Sequence, residues 1–143
     1  MPEANHPIRS NITAGSVYYY NDPELGSSYS HFCIVVNIDP LKDSAIFLVY
    51  SSLRIDRVRN RRKGYPAETL VEITPAQYPE FEKKSIIDCN VILERSIDTL
   101  VNKRKQGKLI IKPIMDLRLI RILRRGLMAS NQIAERIKAL LTG

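Results

Sequence analysis

His31-Phe-Cys-Ile-Val-Val-Asn-Ile38 and Ser44-Ala-Ile-Phe-Leu-Val-Tyr-Ser51 are two apolar, β-branched runs separated by Asp39-Pro-Leu-Lys-Asp43. Branched and aromatic side chains fit a pleated surface, and Pro40 presets a turn, so the stretch predicts a β-hairpin. Pairing Ile38 with Ser44 across that turn sets His31 opposite Ser51, where directly opposed Cβ atoms lie about 4.5–5.5 Å apart. In this register Phe32, Ile34, Val36 and Ile38 share a face with Ile46, Leu48 and Tyr50. His31, Cys33, Val35 and Asn37 then share the other face with Ala45, Phe47, Val49 and Ser51. Both faces are apolar in the middle, which predicts strands buried on both sides, with His31 and Ser51 left at the rim.

The hairpin runs directly into the most basic stretch of the chain, Arg54-Ile-Asp-Arg-Val-Arg-Asn-Arg-Arg-Lys63. Arg54, Arg57, Arg59, Arg61, Arg62 and Lys63 face Asp56 alone, and such a cluster repels itself unless an anion lies nearby. Read as a loop, it is the electrostatic footprint of a nucleic-acid binder; the bland alternative is a solvated loop that keeps the protein soluble. Lys103, Arg104, Lys105, Lys108 and Lys112 form a second basic group, and the whole chain carries a formal net charge of +7.

The remaining pattern is a series of short elements. Residues 1–13 read as a loose tail, 15–20 as a first strand, 69–73 as a strand and 85–93 as another with a bulge near 88–90. Thr74-Pro75 opens a helical turn through Phe81, Ser96 caps a helix stopped by Gly107, and 108–111 is a last strand. Asp116 caps a helix that Gly126 breaks or bends, and Ser130 opens a final amphipathic helix with Ile133, Ile137, Leu140 and Leu141 at helical spacing. The expected fold is mainly β with helices (α+β), a small barrel (14–128) with a C-terminal helix (129–143).

At 143 residues the chain suits one domain with a single core. No apolar run reaches the roughly 18–20 residues of a membrane-spanning helix, the polar N-terminus does not read as a secretory signal, and the two cysteines, Cys33 and Cys89, read as buried thiols. A cytoplasmic protein without membrane contact is therefore expected. His, Cys, Asp and Glu show no ligand spacing, so neither metal nor cofactor is expected. Of Tyr18, Tyr19 and Tyr20, alternation packs two inward and leaves one able to stack a base.

Three segments in order resemble the MazF/PemK family of bacterial toxins: Gly15-Ser-Val-Tyr-Tyr-Tyr20 its first strand, His31-Phe-Cys-Ile-Val-Val-Asn37 its second, and Val49-Tyr-Ser-Ser52 the end of its third. Lys84-Ser-Ile-Ile-Asp-Cys-Asn90 is similar to a segment of its dimer core. The resemblance spans about residues 14–125 and implies an SH3-like barrel, usually a homodimer, acting as a metal-independent endoribonuclease on single-stranded RNA and silenced by an antitoxin with an acidic segment. Ser51 matches the family's hydroxyl position, whereas His31 stands where the family has arginine. A guanidinium is permanently charged and forks onto phosphate; neutral imidazole does neither.

Metal-independent RNA cleavage uses the substrate's 2′-OH as nucleophile, so the protein must move protons and stabilise charge on phosphorus. The candidate catalytic residues are His31 for proton transfer, with Ser51 or Ser52 bonding a phosphate oxygen. Arg54, Arg57 or Arg59 would supply the missing guanidinium, and Arg61, Arg62 and Lys63 extend the RNA-binding surface. The plain alternatives are a strand-end histidine bonded to a neighbour and serines that simply end a buried strand. Asp88 and Asn90 read as structural groups with satisfied hydrogen bonds.

Overall fold

The structure is a computed structural model that describes residues 5–142. Its strands are β1 (Val17–Tyr20), β2 (His31–Val35), β3 (Ile46–Ser52), β4 (Leu70–Ile73), β5 (Ser85–Asp88), β6 (Leu93–Arg95) and β7 (Leu109–Lys112). Its α-helices are α1 (Pro7–Asn11), α2 (Ile55–Arg61), α3 (Ile97–Lys105), α4 (Leu117–Ala129) and α5 (Glu135–Leu141). The strands form one antiparallel sheet in the order β4-β5-β3-β2-β1-β7, with β6 beside the first half of β3. The fold is therefore mixed α+β. The sheet is an open path ending at β4 and β7 rather than the closed ladder of a barrel.

The hairpin pairs one residue away from the expected register. Cys33 faces Tyr50, Ile34 faces Val49 and Val35 faces Leu48, a ladder continued by the Val36 amide donating to the Phe47 carbonyl at 3.0 Å. Asn37 is the cause. Its Oδ1 accepts from the Phe47 amide at 2.7 Å, and its Nδ2 donates to the Ala45 carbonyl and to Asp43, each at 2.9 Å. A buried side-chain amide thus replaces the next backbone rung and fixes where the ladder ends. A one-residue slip moves each partner to the other face. His31, Cys33 and Val35 accordingly lie with Ile46, Leu48, Tyr50 and Ser52, and extending the ladder sets His31 opposite Ser52, not Ser51.

Each face of the sheet carries its own apolar layer. Val17, Ile34, Val36, Phe47 and Val49 pack against Tyr78, Phe81 and the inner faces of α4 and α5, through Ile120, Leu123, Leu127 and Ile137. Tyr18, Tyr20, Cys33, Val35, Ile46 and Leu48 pack against Ile8 and Ile12 around α1, Leu100 and Val101 of α3, and Leu93. The middle of β2 is fully buried, as its unbroken apolar run requires. Two of the three tyrosines, Tyr18 and Tyr20, are buried, and Tyr19 is only half-buried.

Other elements depart from their sequence patterns. The described part of the expected loose tail forms α1, whose Ile8 is buried and whose Arg9 pairs with Asp98 of α3. The basic stretch is largely helix α2 rather than loop. Residues 74–81 make turns without a regular helix. Gly126 does not break α4; it lets the helix approach the turn before β4 and the residue after β5, because a Cβ there would lie 2.7 Å from the Glu68 carbonyl oxygen and 2.9 Å from Cys89 Sγ. Ser130 ends α4 instead of opening α5.

A buried ion pair ties β6 to the segment after β1. Arg95 donates from Nε and Nη2 to the two Asp22 oxygens at 2.9 and 2.7 Å, and the Tyr20 hydroxyl donates to Asp22 at 2.8 Å. Burial pushes the Asp22 carboxyl up, but hydrogen bonds from Arg95, the Glu24 amide and Tyr20 outweigh it and hold the group below its ordinary value.

Two predictions test this architecture. Gly126→Ala is expected to destabilise the fold by about 1–3 kcal/mol, read as a lower urea midpoint at unchanged slope, because backbone and a buried thiol must yield. The lowered Asp22 carboxyl stabilises the fold at pH above its unfolded value of about 3.9, and that contribution is lost as pH falls through the folded value. The stability gap between the wild type and Asp22→Asn is therefore expected to be wide at pH 7 and to narrow below about pH 4.

Candidate functional site

The outer end of the hairpin opens into a cleft of about 440 Å³ lined by Tyr29, His31, Tyr50, Ser52, Arg54, Arg57, Arg61 and Asp88, among others. Three elements build it. β2 delivers His31 as its first residue, β3 delivers Tyr50 and Ser52, and α2 delivers the arginines. Arg54 precedes α2, and Arg57 and Arg61 follow at helical spacing, so all three reach one side. The run from Arg54 to Lys63 contains neither Gly nor Pro, and that absence is the sequence signal for a helix.

His31 sits between two tyrosine rings, with centroids 5.3 Å from Tyr29 and 5.5 Å from Tyr50, the latter edge-on. Its Nδ1 is buried without a hydrogen-bond partner. Burial also pulls the imidazole below the ordinary histidine value, because leaving water disfavours the cation. The ring is accordingly neutral at pH 7, able to accept a proton. Neither Tyr29 nor Tyr50 was singled out by sequence reasoning; an aromatic two residues from a strand-end histidine carries no distinctive signal.

The two serines separate. Ser51 is 6% exposed, pairs with Ile87 of β5, and lies on the opposite face from the His31 side of the ladder. Ser52 lines the His31 cleft, and its Oγ accepts from the Arg54 amide at 3.1 Å, which fixes the start of the basic helix. Among the described residues neither serine is hydrogen-bonded to His31. Ser52 lines both of the clefts that His31 lines, whereas Ser51 lines only the second of them.

The cations also divide. Arg59 is paired with Glu72, which Lys84 also reaches at 2.8 Å. Arg62 turns inward: its Nε donates to Asp88 at 2.8 Å, its Nη1 donates to the Tyr65 hydroxyl at 3.3 Å, and its guanidinium lies over the Tyr65 ring. Arg61 approaches the same carboxylate at 3.8 Å. Arg54, Arg57 and Lys63 have no ion-pair partner among the described residues, and the first two line the His31 cleft. Arg62 is thus a structural strut between Asp88 and Tyr65, and Arg59 shares the Glu72 carboxylate with Lys84.

Asp88 anchors the helix to the core. Its Oδ1 accepts from the Asn90 amide and side chain at 3.0 and 2.9 Å; Asn90 also donates to Thr69 and accepts from Ser130 at 2.6 Å. This chain of buried polar groups runs from α2 to the end of α4 with its hydrogen bonds satisfied, which is the structural role expected for Asp88 and Asn90. No family model matches the chain, and no curated protein matches it.

Sorting the charges this way has a measurable consequence. Asp88→Ala strands Arg62 and two Asn90 donors, and is expected to cost about 3 kcal/mol in chemical denaturation. Arg57→Ala removes an exposed, unpaired cation and is expected to change stability by less than about 0.5 kcal/mol.

Proposed function

We propose that this chain is a toxin-like, metal-independent endoribonuclease that cuts single-stranded RNA at the His31 cleft. The observation that carries the reading is a neutral imidazole, with Nδ1 lacking any protein partner, beside two arginines without carboxylate partners. Because Nδ1 is shut off from solvent, the ring nitrogen that meets the substrate in this reading is Nε2, in a cleft where Arg54 and Arg57 have no carboxylate partners among the described residues.

In this reading Arg54 and Arg57 hold the scissile phosphate, and the Ser52 hydroxyl bonds one of its non-bridging oxygens. His31 takes the proton from the 2′-OH as that oxygen attacks phosphorus. The bond from phosphorus to the 5′ oxygen breaks, the leaving oxygen takes a proton from solvent water, and a 2′,3′-cyclic phosphate remains. Arginine supplied from α2 stands in for the guanidinium that the resembled family places at the start of its second strand.

The same reading makes the sheet an SH3-like barrel, supported by β3 pairing with β6 through its first half and with β5 at its end. It also makes the protein a cytoplasmic homodimer whose cationic cleft is covered, when silenced, by an acidic antitoxin segment. Among the described residues no helix is long and apolar enough to cross a membrane. A second reading, a non-catalytic module that binds RNA or a protein, is favoured by the missing hydrogen bond between His31 and either serine.

Incubation with mixed-sequence RNA in EDTA separates the two. Cleavage to cyclic-phosphate ends is expected, and His31→Ala should lower it about 10²–10⁴-fold with the fold retained. Because the imidazole is held below its ordinary value, kcat/KM should rise with pH through a midpoint below about 6.5 and then level off. Intact RNA bound with strong salt dependence would establish the binding module instead.

A further inference from the structure

Behind His31 lies a second cleft of about 730 Å³ that shares Tyr29, His31, Ser52 and Arg54 with the first. We infer that it is a nucleobase subsite, holding one unpaired base, guanine by preference, of the RNA strand whose phosphate occupies the cationic cleft. The inference deepens the ribonuclease reading and rests on it for the identity of the ligand.

The lining has the two parts such a ligand requires. Tyr19 and Phe32, half-buried neighbours on adjacent strands, have ring centroids 4.7 Å apart, and Phe32 is backed by the buried Phe81 at 5.1 Å. Paired β-strand positions hold both rings, with Tyr19 opposite Phe32 in the ladder. Aromatic faces fixed in this way stack a base without first having to order themselves. Lys112 lies over both rings, with Nζ 5.8 and 6.0 Å from the Tyr19 and Phe32 centroids and 3.3 Å from a Glu80 oxygen, so an entering base stacks beside a cation that its carbonyl oxygens can meet.

The polar rim supplies the selectivity. Glu82 is exposed at the rim and has no ion-pair partner among the described residues. A carboxylate accepts hydrogen bonds only, and guanine presents two adjacent N–H donors on its pairing edge. Adenine presents an amino group beside an acceptor, and uracil a single donor between two carbonyl oxygens, so both match a carboxylate less well. Aromatic stacking on one side of His31 and unpaired guanidinium groups on the other reproduce the alternation of base and phosphate along a single strand. An apolar peptide would use the rings but not the arginines.

The test is fluorescence anisotropy of the full chain with 2′-O-methyl pentanucleotides, which lack the attacking hydroxyl and stay intact. One abasic residue is walked along the oligonucleotide. At one position its introduction is expected to weaken binding roughly tenfold or more, the scale of one lost base stack. At that position guanosine should bind more tightly than adenosine or uridine, and Glu82→Gln should narrow the difference. Tyr19→Leu should abolish the advantage of a base over the abasic site while leaving abasic affinity unchanged, an internal check that the fold persists. Equal affinity for abasic and intact strands at every position, with binding still weakened by Arg57→Ala, would overturn the subsite and leave the ribonuclease reading standing. Absence of any RNA binding would overturn both.

Discussion

The pairing of β2 with β3 is the constraint on which the rest of the molecule depends, and a single buried amide sets it. Asn37 satisfies the Phe47 amide and the Ala45 carbonyl where the backbone ladder would otherwise continue. Arg124 of α4 then donates to the carbonyls of Val36 and Asn37 at 2.8 and 3.0 Å, so the groups freed at the end of β2 also find partners. Buried backbone groups left unpaired are costly, which makes these contacts register-defining rather than decorative. Everything at the other end of the strands follows, including the position of His31 beside Tyr50 and Ser52.

The second organising feature is the carboxylate Asp88, which converts a run of repelling cations into an ordered helix. By engaging Arg62 it directs one side of α2 toward the core, where Val58 is buried, and leaves Arg54 and Arg57 on the cleft. Paired and unpaired cations are therefore sorted to different sides of these ten residues. The fold pairs Arg59 and Arg62 with carboxylates itself and, among the described residues, leaves Arg54 and Arg57 without such partners beside His31. Positive charge concentrated at a cleft also favours capture of a polyanion over long range.

Much of the fold was legible because local chemistry determined it. Ser96 and Asp116 accept from amides in the first turns of α3 and α4, and Gly107 after α3 takes a positive φ of 73°, as the capping pattern required. The unbroken apolar run of β2 announced burial on both faces. The helical phase of Arg54, Arg57 and Arg61 was present but masked by charge, which made a helix read as a loop. Gly126 and Ser130 read as breaker and cap because nothing local reveals that Cys89 and Asn90 lie against them.

By itself the sequence determined most of the strands, although the single strand read over 85–93 divides into β5 and β6, and the starts of α3 and α4. Only the tertiary structure decided that Ser52 rather than Ser51 shares the His31 face of the hairpin, and that Arg62 supports the core while Arg57 remains unpaired. The physical reason is that propensity and capping act within a few residues. Register and charge pairing are set by contacts between distant segments, such as Arg62 with Asp88 and Asn37 with Phe47, which periodicity does not encode.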